Sequence, residues 1–566
     1  LFSHIATELY DPESILQEIT GQQPARPELE TAFVAPRTET EARVARVWAE
    51  LLHRERVGAH DDFFALGGHS LLAVQLVSRL RDACGVALPL SSLSQSPTVA
   101  GLAAEIERLR GAGEVVEVGG GLPQLVPQPE AWHAPFPLTE VQQAYWIGRG
   151  ADFELGNVAT HAYLEFESEG LDLERLEGAL GRLIERHGML RAVVGADGQQ
   201  RVLAEVPPYR IEVLDLRGWS VEAAEEKLAA LRERMSHQVL PSERWPLFEI
   251  RATRLAGERV RLHLSVDLLI ADARSWQIFS QELALVYQDP RAELPPLELT
   301  FRDYVLAEAG LRESELYQRA LAYWRERLAT LPPAPELPLA QSPEGLAQPR
   351  FVRREGRLEA EAWGRLKARA QGAGLTPSGV LLAVFAEVLA AWSKRPHFTI
   401  NLTLFNRPPL HPQVNEVVGD FTSLTLLEVD QRGAGSFETR ARRLQERLWA
   451  DLDHRHVSGV RVLRELAHLV GQGRNSGALM PVVFTSILNV DPAGGGGLDL
   501  AYLGELVYGV TQTPQVWLDH QVSEQVGALV FNWDAVEALF PAGLLDDAFD
   551  AYCRLLERLA EGEAAW

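Results

Sequence analysis

Residues 111–135, GAGEVVEVGGGLPQLVPQPEAWHAP, interrupt the hydrophobic pattern of this chain and divide it in two. Glycine and proline are dense there, and the helical spacing of apolar residues is lost, so the stretch predicts a linker. A chain of 566 residues is also too long for one ordinary core. Whatever lies on each side must therefore fold around a core of its own.

On the N-terminal side the pattern is helical. TETEARVARVWAELL, HSLLAVQLVSRLRDAC and SPTVAGLAAEIERLR each repeat apolar residues at three- and four-residue spacing. Two starts carry capping signals: Thr38 with Glu41 three residues on, and Ser96 with Pro97 at the expected first helical position. Residues 37–110 thus predict a small all-α bundle. Residues 1–36 are mixed and proline-interrupted, with one short helical stretch in PESILQEIT, and read as an upstream linker or domain remnant. Because the chain starts at Leu1 rather than Met, we expect a piece of a larger polypeptide.

Beyond the linker, long helical patterns mix with alternating runs such as RVRLHLSVDLL and FTINLTLF, which predicts an α+β fold. The proline-rich LPPAPELPLAQSPEGLAQP lies between halves, so we expect an N-lobe over 136–310 and a C-lobe over 311–566. GGGG at 494–497 reads as a flexible loop.

With 54 Lys and Arg against 78 Asp and Glu, the net charge is −24. Such a chain repels phosphate backbones, which argues against a nucleic-acid partner. No apolar run is long enough to span a bilayer and no signal peptide precedes the first domain, so no membrane partner is expected. Cys84 and Cys553 lie far apart in helix-like stretches, without disulfide or metal spacing. Both are expected to be buried small apolar side chains in a reducing cytoplasm.

Two regions carry candidate chemistry. DDFFALGGHSLLA places Ser70 after two glycines and a histidine, at the start of a helix whose core stripe is Leu72, Ala73, Leu76, Val77 and Leu80. The glycines allow an exposed tight loop, and a helix start favours an attached phosphate. Ser70 is either such an attachment point or simply an N-cap. In the larger region, SVDLLIADARSW holds Asp267 and Asp272 five apart with Arg274 nearby, NLTLFNRPPL presents Arg407, PVVFTSILNV ends a strand in Thr485 and Ser486, and TQTPQVWLDHQV sets Asp519 between Trp517 and His520. Polar residues in apolar strands signal either hydrogen-bonded structure or a pocket. Spacing alone leaves both open and favours structure.

The segment VAPRTETEARVARVWAELL through VGAHDDFFALGGHSLLAVQLVSRLR resembles the peptidyl carrier domains of nonribosomal peptide synthetases. That resemblance implies a four-helix bundle and a covalent 4′-phosphopantetheine arm on Ser70, attached by a phosphopantetheinyl transferase. From Phe136 onward, FPLTEVQQAYWIGR, LIERHGMLRAVV, MSHQVLPSERWPLFE, DLLIADARSW, YWRERLATLPPAPELPL, GDFTS, PVVFTS and QTPQVWLDHQ occur in order. Together they resemble the heterocyclisation domains of the same synthetases. Where ordinary condensation domains read HHxxxDG, this chain reads DLLIAD: the histidine pair is absent, and a two-aspartate pattern stands at Asp267 and Asp272.

This second resemblance implies a two-lobed, chloramphenicol-acetyltransferase-like α+β domain. Its reaction joins a carrier-bound acyl or peptidyl thioester to a Cys, Ser or Thr on a downstream carrier, then cyclodehydrates the amide to a thiazoline or oxazoline. The implied catalytic set is Asp519, Thr485, Asp267 and Asp272. Asp519 carries the proton for loss of water, Thr485 orients it, and the two DLLIAD aspartates serve mainly architecture by bonding arginines. No metal is implied. The implied partners are an upstream synthetase domain and downstream adenylation and carrier domains. Rival readings are a domain that only condenses and a non-catalytic scaffold that docks carriers.

Overall fold

The computed structural model describes residues 32–52, 54–68, 70–113, 125–150, 155–346, 348–408, 410–469, 478–488 and 501–566. The expected PESILQEIT helix, the centre of the linker and the GGGG loop fall outside them. The chain divides into two compact units, a smaller one at the N-terminal side and a larger one built from nearly all of the remainder.

The smaller unit holds helices Glu39–Leu51, Ser70–Cys84, Ser91–Gln95 and Val99–Gly111. Thr38 caps the first of them, its hydroxyl accepting from Glu41 N at 3.0 Å. The Glu41 carboxylate, however, accepts from Arg37 N at 2.6 Å. Ser96 and Pro97 do not start a helix. Ser96 ends the short helix Ser91–Gln95, and Thr98 is the cap of Val99–Gly111, its hydroxyl accepting from Gly101 N at 3.1 Å. Pro97 instead offers its carbonyl to Phe63 N at 2.8 Å, and Asp62 and Thr98 form a β-bridge, so this stretch is used in extended form. The apolar stripes meet where the pattern placed them. Val44 and Trp48, Leu76 and Leu80, and Leu102 and Ile106 are fully buried, and Trp48 meets Phe63 edge to face at 5.2 Å. Cys84 is buried there, whereas Cys553, in the larger unit, is only half-buried, against expectation.

In chain order the strands of the larger unit are β1 (Phe136–Pro137), β2 (His161–Glu169), β3 (Ala192–Val194), β4 (Gln199–Val202), β5 (Glu212–Asp215), β6 (Phe248–Arg254) and β7 (Arg259–Asp267). There follow β8 (Phe351–Leu358), β9 (His397–Phe405), β10 (Thr422–Asp430), β11 (Val482–Ser486), β12 (Glu505–Gln512), β13 (Leu518–Gln525) and β14 (Ala528–Val536). They form a small sheet β1-β4-β3, a five-stranded sheet β12-β2-β7-β6-β5 and a six-stranded sheet β10-β9-β11-β13-β14-β8. Strand β12 comes from the second half of the sequence yet pairs with β2 of the first, Thr511 opposite Ala162 and Gln512 opposite His161. The amphipathic helix Leu173–Arg186 turns Leu176, Leu180 and Leu183 into the core of the five-stranded sheet.

The six-stranded sheet positions the site. Side chains on a strand alternate between faces, and paired residues share a face. One face carries Ile400, Leu402, Phe484, His520, Phe531 and Trp533. It packs on helices Pro377–Trp392 and Leu544–Glu561, with His520 4.8 Å from Phe385 and 4.6 Å from Tyr552 between ring centroids. The other face, in the same register, carries Asn401, Thr403, Thr485, Asp519, Gln521, Asn532 and Asp534. A buried sheet face made of polar side chains must be hydrogen-bonded or it destabilises the fold.

Candidate functional site

Asp267 ends β7 and Asp272 caps the helix Ala273–Gln288, its carboxylate accepting from Ser275 N at 2.8 Å. The turn between them therefore fixes both carboxylates through local structure. Asp267 forms an ion pair with Arg149 and accepts from Leu269 N at 3.0 Å. Asp272 is held by Arg407, whose guanidinium donates to Oδ1 at 2.7 Å and Oδ2 at 3.3 Å. Arg407 also donates to the carbonyls of Val414 and Val417 at 2.9 and 2.8 Å and lies 3.8 Å from the Phe421 ring centroid.

Gly419 closes the same cluster. Its carbonyl accepts from Asp272 N at 3.1 Å and from the Ser275 hydroxyl at 2.8 Å. A Cβ at Gly419 would stand 2.3 Å from the Phe301 ring, so only glycine fits. Asp272 thus joins the first half of the unit to Arg407 and Gly419 of the second, while Asp267 binds Arg149 and backbone within the first half. Arg274 bonds Gln277 and the carbonyl of Asn415.

Thr485 and Asp519 come together on the polar face of the six-stranded sheet. The Thr485 hydroxyl lies 3.3 Å from Asp519 Oδ1 and 2.9 Å from the Thr403 hydroxyl. Gln521 Nε2 donates to Asp519 Oδ2 and to the Thr511 hydroxyl, both at 2.7 Å. Thr511 donates from its own hydroxyl to Asp534 Oδ2 at 2.6 Å, and Arg353 grips Asp534 through two bonds of 2.8 and 2.6 Å.

Asp519 is 8% exposed. Burial first, then the negative charge of Asp534, pushes its carboxyl up from the usual range to about 7, while Gln521, Thr485 and Arg353 pull the other way. A carboxyl poised there holds or releases a proton at neutral pH. Tyr145, on the helix Glu140–Gly148, remains a phenol: burial raises its pKa well above the ordinary value, and the charges of Asp420 and Asp519 add to this. His520 and Ser486 point away from Asp519. His520 lies in the aromatic core, and Ser486 meets the Ser378 hydroxyl at 2.9 Å.

Thr403, Gln521, Thr511, Asp534, Arg353 and Tyr145 were not singled out from the sequence. Gln521 was discoverable, because it stands two residues from Asp519 and so on the same face of the strand. The others come from separate strands or a separate helix and need the sheet register.

Ser70 is the first residue of its helix, and His69 lies outside the described residues. Gly67 takes φ +101°, and a Cβ on Gly68 would stand 2.3 Å from the Phe63 ring. The two glycines therefore let the chain turn tightly over Phe63 into the helix, an arrangement that suits a covalent arm at a helix start. When bound, a phosphopantetheine arm supplies a thiol that holds an acyl group as a thioester. Among the described residues no group of three or more His, Cys, Asp or Glu is placed to hold a metal ion, and no single helix is long and apolar enough to cross a membrane.

Residues 134–560 match the condensation-domain family and residues 42–106 match the phosphopantetheine attachment site family. The chain belongs to the condensation-domain family and carries ahead of that domain a carrier domain for covalent phosphopantetheine. It is 39% identical over 535 residues to bacitracin synthase 1 of Bacillus licheniformis, covering 94% of this chain and 10% of that protein. It is 43% identical over 473 residues to pyochelin synthetase PchF of Pseudomonas aeruginosa, covering 82% of this chain and 25% of that protein. The chain thus spans a quarter or less of the length of these two relatives. Among solved structures it is similar to the EpoB NRPS cyclization-docking bidomain from Sorangium cellulosum, at 43% identity and a TM-score of 0.74, covering 84% of this chain and 93% of that one. The chain is accordingly a carrier plus condensation-superfamily didomain of the nonribosomal peptide synthetase kind.

Proposed function

We propose that this didomain condenses a carrier-bound acyl or peptidyl thioester with a downstream carrier-bound Cys, Ser or Thr, and then cyclodehydrates the amide to a thiazoline or oxazoline. One observation carries the reading: a buried carboxyl, Asp519, raised to about 7 and held between Thr485 and Gln521 on a polar sheet face. The similarity to the EpoB cyclization-docking bidomain supports it.

Two stages follow. The acceptor amine attacks the donor thioester carbonyl, a C–N bond forms, and the donor thiol leaves with a proton. Tethering both substrates meets much of that barrier by positioning. For a cysteine acceptor, the side-chain sulfur then attacks the new amide carbonyl. The C–S bond forms, the thiol proton passes to the oxygen, and the carbon bears a hydroxyl. Asp519 donates a proton as the C–O bond breaks and water leaves. The ring nitrogen loses its hydrogen as the C=N bond forms, and that proton restores Asp519. General acid–base help of this kind is worth about 10²–10⁴-fold.

In this reading Ser70 bears the arm, and Asp267 and Asp272 hold the architecture through Arg149 and Arg407. The carrier occupies 37–110, joined by 111–135 to lobes at 136–310 and 311–566, with β12 lent to the first lobe's sheet. An upstream synthetase domain supplies the donor, and adenylation and carrier domains downstream supply the acceptor. The test loads Ser70 with an acyl group, adds a separate cysteinyl carrier and weighs the product. The expected product is the amide less one water. An intact amide, or no transfer at all, overturns the proposal.

A further inference from the structure

The Thr485 hydroxyl has two partners, Thr403 at 2.9 Å and Asp519 Oδ1 at 3.3 Å. A hydroxyl carries one proton, so it donates to one of them at a time while its lone pairs remain free to accept. An acid that gives and takes a proton in each turnover needs neighbours that suit both of its forms. A buried donor left without an acceptor is costly.

With Asp519 ionised, Thr485 donates to it. With Asp519 protonated on Oδ1, the carboxyl O–H donates to Thr485, whose own proton must then find another acceptor. Gln521 serves the other oxygen in both forms, donating to Oδ2 at 2.7 Å. Thr403 of β9 stands directly opposite Thr485 of β11 in the parallel register, which fixes the pair side by side.

We propose that Thr403 is a positioning residue of this site: it is the acceptor to which the Thr485 hydroxyl turns whenever Asp519 holds the proton. No proton passes along the hydroxyls. Only the hydrogen bonds turn round, and the exchanged proton resides on Asp519 or on the substrate. The inference rests on the reading of Asp519 as the proton carrier in cyclodehydration. The other charged or titratable groups that act on Asp519 are Asp534 of β14, Arg353 of β8 and Tyr145 of the helix Glu140–Gly148. None of them bonds Thr403, so replacing Thr403 leaves their arrangement intact.

Thr403→Val keeps the shape and removes the acceptor. Protonated Asp519 then leaves the Thr485 proton unpartnered, so the carboxyl gives up its proton more readily. The ratio of cyclised to uncyclised product is followed against pH in single turnovers from the loaded carrier and a cysteinyl carrier. The alkaline fall in cyclodehydration should move about one pH unit lower. The pH profile of amide formation should stay in place, and Thr403→Ser should restore the original limb.

A folded Thr403→Val whose limb does not move, alongside an Asp519→Asn that fails to cyclise, overturns the role of Thr403 and leaves the role of Asp519 standing. An Asp519→Asn that cyclises at the normal rate removes both. If Thr403→Val lacks a cooperative melt, Thr403→Cys carries the test, because its thiol is a weaker acceptor of similar size. The shift should then be smaller but in the same direction, and an unmoved limb again overturns the inference.

Discussion

Replacing Asp519 by Asn should make the domain more stable while stopping cyclodehydration. Burial pushes the Asp519 carboxyl from its ordinary value near 3.8 up to about 7. An acid raised in the folded state favours folding only while it is protonated. Its contribution is fully present below the unfolded value and is lost as pH rises toward the folded one. Moving a carboxyl from its ordinary value to about 7 is equivalent to roughly 4 kcal/mol, which the ionised form costs the fold above pH 7.

Asparagine removes that cost and still suits its neighbours. Its carbonyl accepts from Gln521, and its amide donates to Thr485, which in turn donates to Thr403. Denaturant unfolding of variant and parent across acid to mildly alkaline pH is the assay. The stability gap should be near zero at about pH 4, widen through the neutral range and level off above about pH 7. A gap that does not change with pH would refute the raised carboxyl, and with it the physical basis for Asp519 as the proton carrier.

The same Asp519→Asn variant should still form the amide and stall there, seen as an uncyclised cysteinyl product by mass. Thr485→Ala should slow cyclisation by a milder factor and leave amide formation near normal. Asp272→Ala should cost about 3–5 kcal/mol by stranding buried Arg407, and should depress both stages together, checked by thermal melts and product masses in parallel. Ser70→Ala should melt like the parent but show no mass increase with coenzyme A and a phosphopantetheinyl transferase; an unchanged mass increase would place the arm elsewhere.

The helical and strand segments around the site were legible because their periodicity is strong and local. TETEARVARVWAELL became Glu39–Leu51, and FTINLTLF became most of β9. The cap at Ser96 misled because Thr98, two residues on, competes for the same role, and Asp62 draws the intervening chain into a bridge. Local pattern cannot see that long-range partner. The same limit hid most of the site. Thr485 and Asp519 stood out as polar residues in apolar strands, but Thr403 and Thr485 are separated by 82 positions and meet only through strand register. The separation of Asp519 from His520 was implicit in alternation: adjacent strand residues face opposite ways, so one enters the site and the other the aromatic core. Cys553 was expected to be buried from its apolar neighbours, yet it falls toward the edge of its helix's core stripe.

Strand β12 belongs to one half by sequence and to the other by pairing, and this has a mechanical consequence. Thr511 is paired with Ala162 through its backbone, while its side chain touches both Gln521 and Asp534 beside the candidate acid. The first sheet is therefore a lever on the candidate acid. Any hinge that drags β2 away from the six-stranded sheet must either pull Thr511 off Asp534 or carry β12 with it, and both alter the surroundings that set the acidity of Asp519.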